Sequence, residues 1–178
     1  VSDVEKANPM QSIRLEKVTL NIGIGASEDK YDGAKEILQR LTGHVPAPAK
    51  SKSRRPEFGI KKGQIIGAFV TVRHAEARKI FEKALDAVDF TLSRNAISNN
   101  SVNFGVNEYI YFSGMKYDPK IGMLGLNVNA TFARPGMRVE RKKIKRGKVP
   151  RRHKMISNEE LEEYLAKEFK VKFKGEES

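Results

Sequence analysis

The sequence predicts an α+β fold: one domain across residues 1–178, a mostly antiparallel sheet with amphipathic helices packed on one face, and a long basic loop. Three observations lead there. Several segments alternate apolar and polar residues at period two, which half-buries a strand. Others carry apolar residues three and four apart, the spacing of a helix with one buried stripe. The two kinds are interleaved along 178 residues, with no internal repeat and no clear linker, as expected when helices cover one side of a sheet.

Each element follows in order. From Lys17 onward, residues 13–24 set Val18, Leu20, Ile22 and Ile24 against Lys17, Thr19, Asn21 and Gly23, a strand with one buried face. Ser27 to Leu41 places Tyr31, Ala34, Leu38 and Leu41 at helical spacing, and Gly43 is a stop signal. Residues 44–63 hold Pro46, Pro48, Pro56, Gly59 and Gly63 among many cations, a loop or an extended segment with a loop at its tip. Ile65 to Arg73 is a second strand, with Ile66, Ala68, Val70 and Val72 inward and Thr71 and Arg73 outward. Residues 76–88 form the clearest helix, with a stripe of Ala77, Ile80, Phe81, Ala84, Leu85 and Val88. After a polar connector at 94–101, strands are expected at Val106–Phe112 and Met123–Phe132, separated by a loop at Ser113–Gly122. The last helix starts at Ser157, where Ser157 and Glu160 have capping-box spacing, and its stripe is Leu161, Tyr164, Leu165 and Phe169. The tail from Gly175 is expected to fray.

Charge narrows the function. The formal net charge is +12, and a surplus of that size favours a polyanionic partner. It is not scattered. Residues 50–62 sum to +5 and residues 137–154 to +9, leaving −2 for the rest of the chain. In the first stretch Lys50, Lys52, Arg54, Arg55, Lys61 and Lys62 suit phosphates, Ser51 and Ser53 can donate to phosphate or ribose oxygens, and Phe58 can stack. The second carries Arg138, Arg141, Lys142, Lys143, Lys145, Arg146, Lys148, Arg151, Arg152 and Lys154, too dense in like charge to fold alone and expected to order against a polyanion. Lys17 and Asn21 lie on one strand face roughly 13 Å apart by strand rise, and with Thr71 they offer groups that read RNA hydroxyls or base edges.

Other classes find little support. There is no cysteine for a disulfide, a thiolate site or a nucleophile. His44, His74 and His153 lie far apart, and none has metal-ligand spacing. Gly23-Ile-Gly25 follows a strand and precedes a helix, but Glu28 stands where a dinucleotide loop needs its third glycine, so a tight turn is the better reading. An RNA-directed enzyme would need a catalytic constellation or a cofactor loop, and neither is found. A peripheral membrane module would need a helix with a basic polar face, whereas the last helix is acidic. Val1 to Lys6 lack a signal-peptide core, and no apolar run approaches the roughly 20 residues of a membrane span. The expectation is a soluble, cytoplasmic, non-enzymatic RNA-binding protein without cofactors.

Glu16-Lys-Val-Thr-Leu-Asn-Ile-Gly-Ile-Gly25, Leu41-Thr-Gly-His-Val-Pro46, Gly67-Ala-Phe-Val-Thr-Val-Arg73 and Asn103-Phe-Gly-Val-Asn-Glu108 resemble, in order and spacing, the large-subunit ribosomal protein family that binds 5S rRNA, the fifth large-subunit protein. The match runs over about residues 10–170. Ala133-Arg-Pro-Gly136, the basic insertion and His153-Lys-Met-Ile-Ser-Asn-Glu-Glu160 look like its archaeal and eukaryotic branch. The resemblance implies no catalysis and a place in the ribosome, bound to 5S rRNA in the central protuberance beside other proteins and large-subunit rRNA. It implies 5S rRNA contacts at Lys17, Asn21, Thr71 and His44, the last a position where bacterial relatives usually have Gln. It implies that the loop matching 50–62 approaches the elbow of peptidyl-site tRNA. The region from Tyr111 to Gly125, with Met115, Lys116, Tyr117 and Lys120, resembles the part that bridges to a small-subunit protein. The +9 stretch has no bacterial counterpart, and large-subunit rRNA is its expected target.

Overall fold

In a computed structural model, residues 8–174 are described, so the expected fraying from Gly175 lies outside them. Six strands form one sheet, in which every neighbouring pair is antiparallel. In spatial order they are β2 (Ala47–Lys50), β3 (Ile65–Arg73), β1 (Arg14–Gly23), β7 (Leu126–Ala133), β6 (Ser101–Val106) and β5 (Ile97–Ser98). A separate parallel pair joins β4 (Thr91–Ser93) to β8 (Lys172–Lys174).

One face of the sheet is the core. Val18, Leu20 and Ile22 of β1, Ala68, Val70 and Val72 of β3, and Val128, Ala130 and Phe132 of β7 are buried there. Helices α1 (Tyr31–Thr42), α2 (His74–Asp86) and α5 (Asn158–Phe169) close over it. Phe81 of α2 is central, with the Phe169 ring 5.0 Å away edge-on and Phe132 at 5.9 Å. Arg78, one turn earlier, lies 5.2 Å over the Phe169 ring and ion-pairs with Glu82 and Glu168, clamping α2 to α5. Gly43 ends α1 in the left-handed region at φ 72°, its N–H donating to the Gln39 carbonyl. Ser157 caps α5 with a complete capping box.

Register explains Gly67. It sits opposite Gly23 between β3 and β1, and a Cβ there would come within 2.5 Å of the Ile22 carbonyl oxygen. The turn at Gly25 is tight as expected, with φ 65° and a 3-10 turn at Glu28–Lys30 before α1.

Several boundaries differ from the sequence reading; among the helices, the one expected over 76–88 spans His74–Asp86, leaving Val88 beyond its end, and the one expected from Ser27 begins at Tyr31. The strand expected at Val106–Phe112 is instead Ser101–Val106, and Tyr109–Tyr111 is a 3-10 turn. Tyr109 and Phe112 are both buried; three apart, they share a side of such a turn, whereas strand alternation would oppose them. Asn99 and Asn100, read as connector, make the turn of the β5–β6 hairpin, with Asn99 at φ 47°. The strand expected from Met123 begins at Leu126, because Leu124 is buried and gives its carbonyl to the Tyr109 N–H, outside the ladder.

Candidate nucleic-acid interface

The other face of the sheet is open. Directly paired residues project to the same side, so the register assembles a surface from β3, β1, β7 and β6. Lys17 is flanked by Arg73 and Thr131, Thr19 by Thr71 and Asn129, and Asn21 by Phe69 and Asn127. Farther out, Ser101 faces Thr131, Asn103 faces Asn129 and Gly105 faces Asn127. Three predicted contacts, Lys17, Asn21 and Thr71, are thus brought onto one face. The Thr19 and Thr71 hydroxyls lie 3.1 Å apart.

The face has three zones. At the β2–β3 edge it is apolar, with Ala47 opposite Phe69, which is 38% exposed. The middle carries hydroxyls and the Lys17–Arg73 pair. On the β7–β6 side it is a lattice of amides around a cleft of about 340 Å³ lined by Asn21, Asn103, Phe104, Gly105, Asn127 and Asn129. The residues missed by sequence reasoning are Asn103, Asn127, Asn129, Thr131 and Ser101. The polar complement of the apolar alternation at 124–132 was the signal for Asn127 and Asn129, whereas misplacing β6 hid Asn103.

The cations lie at the two ends of the sheet. Lys50 is opposite Ile65, at the end where β1 finishes and β3 and β7 begin. Beyond it the 51–64 segment forms a short hairpin. Ser51 and Gln64 are joined by a backbone bond, Arg55 and Ile60 form a bridge, and Pro56–Phe58 make a 3-10 turn at the tip. Lys52, Ser53, Arg54, Arg55, Phe58, Lys61 and Lys62 are exposed, Phe58 at 67%. No ion pair among the described residues engages any of the six cations from Lys50 to Lys62. The loop with Tyr111, Met115, Lys116, Tyr117 and Lys120 leaves from the same end. Tyr111 and Tyr117 are exposed, while Met115 packs partly against the core. This loop is tethered where the Asp118 N–H donates to the Tyr109 hydroxyl and Arg40 meets the Asp118 carboxylate at 3.3 Å.

The basic stretch 137–154 follows β7 at the opposite end. It carries two single-turn helices, α3 (Arg138–Arg141) and α4 (Arg151–Lys154), and carboxylates of this chain engage two of its cations. Glu16 occupies the irregular step between Leu15 and Lys17, where a bulge re-aims a side chain. It takes both Arg141 guanidinium nitrogens and faces Arg73 at 3.9 Å. The Arg141 hydrogen bond holds the Glu16 carboxyl below its ordinary value, against the opposing effect of burial. Glu140 pairs with Lys154, its carbonyl accepts from Arg146 Nε at 2.6 Å, and His153 Nε2 lies 2.8 Å from the Pro135 carbonyl oxygen. Arg141 and Lys154 are therefore engaged, while Arg138, Lys142, Lys143, Lys145, Lys148, Arg151 and Arg152 have no ion pair among the described residues. His44 precedes β2 off the sheet, and its Nε2 lies 2.9 Å from the Glu76 carboxylate.

Among the described residues no cluster of His, Asp or Glu is placed to hold a metal ion, and no helix is long and apolar enough to cross a membrane.

Residues 8–61 match the family described as ribosomal protein L5, and residues 65–173 match the model for the C-terminus of the same ribosomal family. The chain is 47% identical to the large ribosomal subunit protein uL5 of Nanoarchaeum equitans, over 92% of this chain and 97% of the relative. It is 38% identical to the protein of that name from Sulfurisphaera tokodaii, over 96% of this chain and 97% of the relative. For the Methanobrevibacter smithii protein the identity is 35%, over 93% of this chain and 98% of the relative.

Proposed function

The chain belongs to the ribosomal protein L5 family, and from that premise we propose how a non-enzymatic constituent of the large ribosomal subunit divides its surface among RNA partners. The open sheet face binds 5S rRNA in the central protuberance, with Lys17, Asn21 and Thr71 as contacts. His44 joins them from the sheet edge once its Glu76 hydrogen bond is exchanged for one to RNA. The 50–62 hairpin reaches the elbow of peptidyl-site tRNA. The free cations of 137–154 grip large-subunit rRNA. The loop from Tyr111 to Lys120 meets a small-subunit protein across the subunit interface, and neighbouring central-protuberance proteins complete the surroundings.

The observation that carries this reading is the separation of charge from polarity. Cations supply salt-dependent affinity without selectivity, and uncharged donors and acceptors supply selectivity. Here the dense cationic segments flank the sheet at its two ends, and the face between them carries mostly hydroxyls and amides beside Lys17 and Arg73. A surface built only for affinity would spread lysines over that face.

The test is the RNA the protein retains when purified from cells expressing its cognate rRNA. The expected result is one short species of 5S rRNA length. Asn21→Ala should lower that yield without changing its salt sensitivity. Retention of a broad mixture by the wild type would refute the assignment.

A further inference from the structure

The amide lattice goes beyond the contacts proposed above. Asn21, Asn103, Asn127 and Asn129 come from three adjacent strands and surround one cleft. Among the described residues no hydrogen bond occupies the side-chain amides of Asn21, Asn127 or Asn129, and Asn103 donates only to Ser101 Oγ at 3.2 Å. Each amide offers both a carbonyl acceptor and N–H donors. No cation lies within the cluster; Lys17 on the same strand is roughly 13 Å from Asn21 by strand rise. Without a cation such a surface supplies none of the phosphate neutralisation that drives salt-dependent affinity, and its donors and acceptors are matched to a neutral hydroxyl.

Its shape is equally restrictive. Short side chains on an open sheet reach only a shallow target. Gly105, opposite Asn127, leaves the cleft floor bare; a Cβ there would stand 3.4 Å from Asn127 Oδ1. The minor groove of A-form RNA is wide and shallow and displays 2′-hydroxyls, each a donor and an acceptor, whereas its major groove is too deep and narrow for such side chains.

We propose that Asn21, Asn103, Asn127 and Asn129 read ribose 2′-hydroxyls in an RNA minor groove, which makes this face selective for RNA by its sugar. The inference rests on the reading that the open face binds RNA. The cleft admits the ribose edge, the amides supply reciprocal donors and acceptors, and Lys17 and Arg73 on the same face stand ready for the flanking phosphates.

The test uses the full chain with three probes: a 5S rRNA transcript, the same transcript with 2′-fluoro pyrimidines, and an unrelated RNA of equal length. Fluorine keeps the A-form helix but cannot donate. The wild type should bind the native transcript about fivefold to tenfold tighter than the fluorinated one, the value of one or two hydrogen bonds. Asn127→Ala with Asn129→Ala should bring the two affinities together while leaving the salt slope unchanged. Gly105→Val keeps every amide but fills the cleft, and should do the same. Equal wild-type affinity for native and fluorinated transcripts, with the unrelated RNA still discriminated, overturns the ribose reading alone. So does a variant that keeps the native preference or flattens the salt slope. Equal binding of all three probes overturns the underlying assignment of the face as well.

Discussion

Removing Arg54 and Arg55 together isolates the hairpin from the rest of the surface. Both side chains are exposed beyond the end of the sheet, and neither has a carboxylate partner among the described residues. The Arg55–Ile60 bridge is made by backbone groups, with N···O distances of 2.9 and 3.0 Å, so Arg54→Ala with Arg55→Ala leaves it standing. Stability should change by no more than about 0.5 kcal/mol, as for surface substitutions generally. The charge of residues 50–62 falls from +5 to +3. If each arginine neutralises one phosphate, the slope of log affinity against log salt for tRNA should fall by about 1.4 to 1.8, using ~0.7 per single-stranded and ~0.9 per duplex phosphate. The assay is tRNA binding by the full chain from about 50 to 200 mM salt, with 5S rRNA measured in parallel. The 5S rRNA affinity and slope should be unchanged. Loss of 5S rRNA binding, or an unaltered tRNA slope, would refute the division of labour.

Other consequences follow from the same geometry. Glu16→Gln removes the carboxylate that holds Arg141, and protease cleavage within 137–154 of the free protein should become faster, with a global stability loss of about 1 kcal/mol, since Arg141 is exposed although Glu16 is largely covered. The same clasp is pH dependent. Because the folded-state value of Glu16 is depressed, its stabilisation is fully present above the ordinary value near 4.5 and is lost as pH falls through the lower folded value, so protection of the arm should fail there. Ser157→Ala deletes one half of the α5 capping box and should cost about 1 kcal/mol in urea unfolding. Gly67→Ala forces a Cβ onto the Ile22 carbonyl and should destabilise the sheet, whereas the same change at exposed Gly105, where the nearest atom is 3.4 Å away, should be tolerated; thermal unfolding of the two variants decides this.

The periodic elements were legible because burial imposes the period. Val18, Leu20 and Ile22, or Ile80, Phe81, Ala84 and Leu85, declare strand and helix by spacing alone, and the structure buries all of them. The failures share one physical origin. Between Asn95 and Gly125 the chain is short-period and turn-rich, and its geometry is set by distant contacts: Tyr109 by Leu124, and Asn100 by Lys154 and Ile156. No local pattern reports such contacts. The β4–β8 pair was missed likewise, since three-residue strands joined across 81 positions leave no periodicity. Of the open face, alternation on β1 and β3 exposed Lys17, Asn21 and Thr71, but the amide lattice needed the β7–β6 register. The basic arm was read from composition, which counts cations but is blind to Glu16, more than a hundred residues upstream, as their anchor.

The central claim is that the hydroxyls and amides of the sheet face set selectivity for 5S rRNA, whereas cations set its salt-dependent affinity. Its most direct measurement is binding of the full chain to 5S rRNA and to an unrelated RNA of equal length across a salt series. Two lines of similar slope are expected, displaced so that 5S rRNA is bound more tightly at every salt concentration, with Asn21→Ala narrowing the gap and leaving both slopes intact. Coincident lines for the two RNAs would contradict it.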